Sequence, residues 1–165
     1  RHAISRSSPH RVINKGDIVQ LNLSAKIEGY SPSIGLPISL GKLTPERRAV
    51  LEFGYKAHEW TQKQLKAGVR ASDIAKGYYQ FFKENGYEKN YLYGPCHGTG
   101  MIEVEAPWME TTSDYLLEPN MTFQIDTFVT TETFGIRWEK GVVIRPDGCE
   151  VLCNPDVLKI HELDF

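Results

Sequence analysis

The stretch Gly94-Pro95-Cys96-His97-Gly98-Thr99-Gly100 sets one histidine among three glycines and a proline, off any amphipathic stripe. A lone histidine is most often structural, so its neighbours decide how it is read. Downstream, Thr99–Glu105 reads as a strand on which Glu103 and Glu105 share a face with period two. That face is either a solvated edge or, if turned inward, places Glu105 as a general acid or base with a raised pKa. Cys96 is adjacent to His97, and adjacent strand residues point to opposite faces, which disfavours a Cys–His nucleophile.

Further along, strands are expected near Met121–Thr130, Phe134–Ile144 and Glu150–Cys153. Turn signals at Pro119-Asn120 and Pro146-Asp147-Gly148 separate them. Asp126 interrupts an apolar strand carrying Phe123, Ile125 and Phe128. A carboxylate there is costly unless it is paired or hydrogen-bonded, so it either pairs with Arg137 or faces a pocket. Glu139 lies two residues beyond Arg137 and shares its strand face. Upstream, Thr44-Pro45 is a helix start, with apolar spacing through Val50, Ala57 and Leu65 and a stop at Gly68. His58 falls on the buried side of that helix as a satisfied core residue. Ser72 is expected to cap a second helix that Gly86 stops. Before the helices, Gly16–Ile27 alternates as a strand, Glu28-Gly29-Tyr30 turns, and a short strand interrupted by Pro32 and Pro37 follows. A hairpin, two helices and an antiparallel meander make an α+β layout.

Charged residues make up 24% of the 165 residues and the formal net charge is -2, which gives no reason to expect nucleic acid or an anionic membrane as partner. No apolar run reaches the roughly 18 residues that span a bilayer. Three cysteines, Cys96, Cys149 and Cys153, fit a reducing compartment, with cytoplasm the default, better than a disulfide scaffold.

Four segments, taken together, resemble the creatinase/aminopeptidase P/methionine aminopeptidase family, whose fold is called a pita bread. They are Gly16-Asp17-Ile18-Val19 leading through Asn22 to Ser33, Gly94–Gly100 followed by Glu105-Ala106-Pro107, Leu117–Phe123 leading to Asp126, and Gly135–Glu139 leading to Asp147-Gly148. The resemblance implies a curved antiparallel sheet with helices on its outer face. It also implies the residues of a dinuclear metal site, which in active members is held by two Asp, one His and two Glu. Position by position these fall on Asn22, Ser33, His97, Asp126 and Glu139, and a substrate-contacting His falls on Val104.

The departures matter chemically. Asn22 offers a neutral carbonyl, and Ser33 is a poor ligand that cannot bridge two ions. Two dications about 3.5 Å apart repel by about 19 kcal/mol at an effective dielectric of about 20. Only Asp126 and Glu139 remain to neutralise them, so no cofactor is expected, or else a single Zn or Mn held by His97, Asp126 and Glu139.

The resemblance therefore implies a hydrolase of C–N bonds in small amide, amidino or dipeptide-like substrates, like an Xaa-Pro peptidase or creatinase but without the metal pair. His97, Glu105 and Glu139 would be catalytic, and Asn22, Ser33, Asp126 and Arg137 would bind substrate. Two alternatives stand beside it: a non-catalytic peptide- or protein-binding module, and a peptidase with one metal. Residues 1–165 read as the C-terminal part of the catalytic domain: the resemblance implies N-terminal helices before the hairpin at Gly16, which are lacking here, and the chain starts at Arg1 without a methionine. Either a homodimer or association with the missing N-terminal segment is expected to cover the sheet face left bare.

Overall fold

The structure is a computed structural model and describes residues 10–164. Ten strands and helices order as β1 (Ile18–Ser24), β2 (Ser33–Leu40), α1 (Pro45–Gln64), α2 (Ala71–Glu84), β3 (Cys96–Gly98), β4 (Glu105–Met109), β5 (Thr122–Thr130), β6 (Gly135–Arg145), β7 (Gly148–Val151) and β8 (His161–Leu163). The sheet runs β1-β2-β6-β5-β3-β4, with β7 pairing β6 and β8 pairing β2. The α+β layout is as the patterning implies. Strand β8 carries no alternation long enough to announce itself and owes its place to its parallel pairing with β2.

The β1–β2 hairpin closes where Glu28 and Gly29 both adopt positive φ, 51° and 95°. Two such residues in a row give the twist that joins antiparallel strands tightly. Pro37 does not interrupt β2. Leu40 N donates to Asp17 O, so by alternation the nitrogen of Pro37 faces away from β1. It falls between the β6 pairing, which ends at Gly35, and the β8 pairing, which begins at Ile38, and no ladder bond is lost there.

Thr44 caps α1, its hydroxyl accepting from Arg47 N at 3.3 Å, with Pro45 in the first turn. α1 ends at Gln64, ahead of Gly68, which takes φ 83° in the turn to α2. Ser72 is not the cap of α2: the cap position is Arg70, two residues earlier, and Ser72 is buried within the first turn. α1 lies against β5 and β6, with Trp138 Nε1 donating to Leu51 O at 3.2 Å. A Cβ on Gly54 would sit 2.6 Å from Ile136 Cδ1, so the close approach of helix to sheet requires glycine there.

The period of two then sorts β5 and β6. Phe123, Ile125, Val129, Ile136, Trp138 and Val142 are buried in the core beneath the helices. Gln124, Asp126, Phe128, Arg137 and Glu139 face the other way. Cys96 is buried on the helix side, where burial pushes its thiol up, and His97 lies on the opposite face. His58 is buried but not satisfied. Neither ring nitrogen has a hydrogen-bond partner among the described residues.

Residues 99–104 are not the strand that alternation suggested. The chain bulges between His97 and Gly98 and then bends, with Gly100 N donating to Ile102 O and Ser31 N to Gly100 O. Extended structure resumes only at Glu105.

Candidate active site

Cross-strand register builds the site. Asp126 pairs Glu139, Glu139 pairs Gly35, and Gly35 pairs Asn22, so one row crosses β5, β6, β2 and β1. Gly35 is required at the centre of that row: a Cβ there would lie 2.8 Å from Asn22 Oδ1 and 3.1 Å from Glu139 Oε2. The next row pairs His97 with Gln124 and Gln124 with Gly141.

His97 is fully buried. Its Nδ1 lies 2.9 Å from Gly98 O, an atom that only accepts, so Nδ1 carries the proton and Nε2 presents its lone pair to the site. Nε2 has no hydrogen-bond partner among the described residues and lies 3.7 Å from Asp126 Oδ2 and 4.0 Å from Glu139 Oε1. Both distances are too long for a hydrogen bond.

Arg137 binds both acids. Its Nε donates to Asp126 Oδ1 at 2.7 Å, and its Nη2 donates to Asp126 Oδ2 at 3.0 Å and to Glu139 Oε1 at 2.6 Å. The bland and the functional readings of Asp126 are therefore both met: it is ion-paired, and it lies in the pocket. Burial pushes the Glu139 carboxyl up to about 8, with Asp126 adding to the rise and Arg137 opposing it. Burial also raises Asp126, against the pull of Arg137. Burial works against the charge of Arg137, and Asp126, Glu139 and Glu103 more than offset it, so the group is raised.

Gln20 holds the backbone of Arg137 from the side. Its amide accepts from Arg137 N at 2.8 Å and donates to Arg137 O at 3.0 Å, standing in for a strand where the β2 pairing has ended. Sequence reading missed this residue, because an alternating polar position on β1 looks like any solvated one.

Ser33 is buried. Its hydroxyl donates to Glu103 Oε1 at 3.0 Å and accepts from Gln124 Nε2 at 2.7 Å. Asn22 sits at the exposed end of its row. Glu105 is the one candidate the structure does not bring in. Its Oε2 accepts from Ile102 N at 3.0 Å inside its own loop, because the bend over 99–104 takes Glu103 and Glu105 off a common face. Glu103 enters instead. It lines a cavity of about 350 Å³ with Tyr93, His97, Val104, Trp108 and Asp126.

One nitrogen of His97 and one oxygen each from Asp126 and Glu139 lie within 4.8 Å of one another, so these three residues could hold a single metal ion. The unpartnered His97 Nε2 and Glu139 Oε2 fit that role. A pair of ions finds a poorer donor set, since positions 22 and 33 bring an amide and a hydroxyl and the guanidinium of Arg137 already binds both acids.

Known proteins share this fold and much of its sequence pattern. The profile of metallopeptidase family M24 matches residues 1–146. An Xaa-Pro dipeptidase of Pyrococcus furiosus is 25% identical over 154 residues, covering 90% of this chain and 44% of the relative. A methionine aminopeptidase of Staphylococcus epidermidis is 30% identical over 129 residues, covering 73% of this chain and 50% of the relative. The crystal structure of an X-Pro aminopeptidase from Thermotoga maritima superposes with TM-score 0.88 at 27% identity, over 98% of this chain and 45% of that one. The fold is thus the pita bread, in part, and the chain spans about half the length, or less, of these relatives.

Proposed function

Since the chain belongs to metallopeptidase family M24, we propose that it carries the site of a C–N hydrolase for short peptides or small amides that works without the family's pair of metal ions. The carrying observation is that Arg137 binds both remaining site carboxylates, Asp126 and Glu139, beside the unpartnered Nε2 of His97. The relatives named as Xaa-Pro dipeptidase and X-Pro aminopeptidase support an amino-terminal dipeptide unit as the substrate class.

In this reading His97 Nε2 takes a proton from water as the water oxygen bonds to the carbonyl carbon, and the proton passes on to the leaving amine as the C–N bond breaks. Tautomer and orientation are held by the Gly98 carbonyl. Arg137 keeps Asp126 and Glu139 from repelling each other and fixes the floor of the pocket. Tyr93, Trp108 and Phe128 give the cavity an apolar wall.

The closeness of His97, Asp126 and Glu139 favours a second reading, a peptidase with one metal held by those three residues. Such an ion would polarise the carbonyl or acidify a bound water. Turnover of an Xaa-Pro dipeptide panel by the whole protein, with and without chelator, separates the two. The first reading expects activity that survives chelation and is lost in His97→Ala. Loss of activity on chelation supports the second, and no turnover in the parent leaves a binding module.

We place the protein in the cytoplasm, a reading that three free thiols support. Among the described residues no helix is long and apolar enough to cross a membrane. The hairpin tip and the 99–104 loop touch, and Leu23, Ile27, Tyr30, Met101 and Ile102 are each more than half exposed. Their exposure supports a homodimer contact or burial by another part of the whole protein.

A further inference from the structure

The two acids of the site are closed to an organic cation. Asp126 has both oxygens on Arg137, with a side chain 3% exposed, and Glu139 is wholly buried. Glu103 differs. Its side chain is 35% exposed on the wall of the cavity, and its one hydrogen bond among the described residues comes from Ser33. Arg137 Nη2 lies 3.7 Å from its Oε1, beyond hydrogen-bond distance, so the guanidinium steadies it without occupying it. In the same cavity, the unpartnered Nε2 of fully buried His97 marks where the reacting carbonyl or water belongs. Trp108 and Tyr93 line the same cavity, and aromatic surfaces suit an organic cation.

We infer that Glu103 anchors the α-ammonium group of the substrate, supplying from the 99–104 loop a carboxylate that the hairpin no longer provides at position 33. This rests on the peptidase reading of the site and adds to it a residue that sets specificity for a free amino terminus. Ser33 is then a positioning residue, since its hydroxyl holds the carboxylate at 3.0 Å. Charge-assisted binding of an ammonium by a partly buried carboxylate contributes about 1.5–3 kcal/mol, or about 10- to 150-fold in affinity.

Calorimetric titration of the whole protein, carrying His97→Ala so that nothing is turned over, tests this with L-alanyl-L-proline and N-acetyl-L-alanyl-L-proline as probes. The free dipeptide is expected to bind and the acetylated one to bind at least 10-fold more weakly. Glu103→Gln should abolish that preference, and Ser33→Ala should reduce it several-fold, with near-UV circular dichroism unchanged. Equal binding of both probes, binding of neither, or an undiminished preference in Glu103→Gln overturns the assignment. Preferential binding of the free dipeptide in a protein that hydrolyses nothing would leave the anchor standing while removing the hydrolase reading.

Discussion

Arg137 meets Asp126 side-on, with Nε on Oδ1 at 2.7 Å and Nη2 on Oδ2 at 3.0 Å, and the same Nη2 reaches Glu139 Oε1 at 2.6 Å. A planar fork makes this contact and a lysine cannot. Removing it leaves two nearly buried carboxylates opposite each other on neighbouring strands. Arg137→Met should therefore lower unfolding stability by about 3–5 kcal/mol, and Arg137→Lys should recover only part of the loss. Urea denaturation measures both, and a loss below 1 kcal/mol in Arg137→Met would show that the pair carries little.

His97 is held by one hydrogen bond from Nδ1 and has no hydrogen-bond partner at Nε2 among the described residues. If Nε2 is the general base, His97→Ala should cut kcat by about 10²–10⁴-fold while unfolding stays cooperative. Turnover within threefold of the parent would remove His97 from the chemistry.

Restoring the lost charges should restore ion binding. Ser33→Asp puts a carboxylate near Glu103, whose Oε1 is now 3.0 Å from the Ser33 hydroxyl, and near the Glu139 row. Without metal that crowding should lower Tm. Combined with Asn22→Asp, it should give a protein whose Tm rises on addition of Mn²⁺ by more than the parent's does. Scanning calorimetry with and without the ion gives the answer, and a Tm in the double variant that ignores Mn²⁺ counts against the donor-set argument.

His58 predicts a pH dependence of its own. Burial, with help from Lys140, pushes its pKa well below the ordinary 6.5. The unfolded chain therefore takes up a proton near pH 6.5 that the folded chain refuses, so this group lowers stability progressively as pH falls below about 6.5 and contributes no slope above it. His58→Leu should flatten the acid side of the stability curve. It should also raise stability at neutral pH by about 1 kcal/mol, because two unpartnered ring nitrogens are removed. Chemical denaturation at pH 7.5 and pH 5.5 reads both effects, and an unchanged slope would mean that another group sets it.

The strands that carry the site were legible because β5 and β6 are long and alternate cleanly, which places Asp126, Arg137 and Glu139 on one face with nothing more than a period of two. Asn22 and Ser33 were legible only through the family resemblance, since an asparagine and a serine on a hairpin have no pattern of their own. The role fell on Glu105 and not on Glu103 for one physical reason: two glycines and a bulge let residues 99–104 bend, and alternation says nothing about a bend. The Gln20 amide bonded to the Arg137 backbone was out of reach as well, because it depends on where β2 parts from β6. Likewise, Ser72 had the right residue type for a helix cap, but the cap position falls two residues earlier, at Arg70.

Charge decides how many ions the site can hold: Arg137 already binds Asp126 and Glu139, positions 22 and 33 bring no carboxylate, and Glu103 adds one. Elemental analysis of the purified whole protein, after exchange into metal-free buffer and after incubation with Mn²⁺ or Zn²⁺, tests this directly. At most one divalent ion per chain is expected in either case. Two tightly held ions per chain would contradict it.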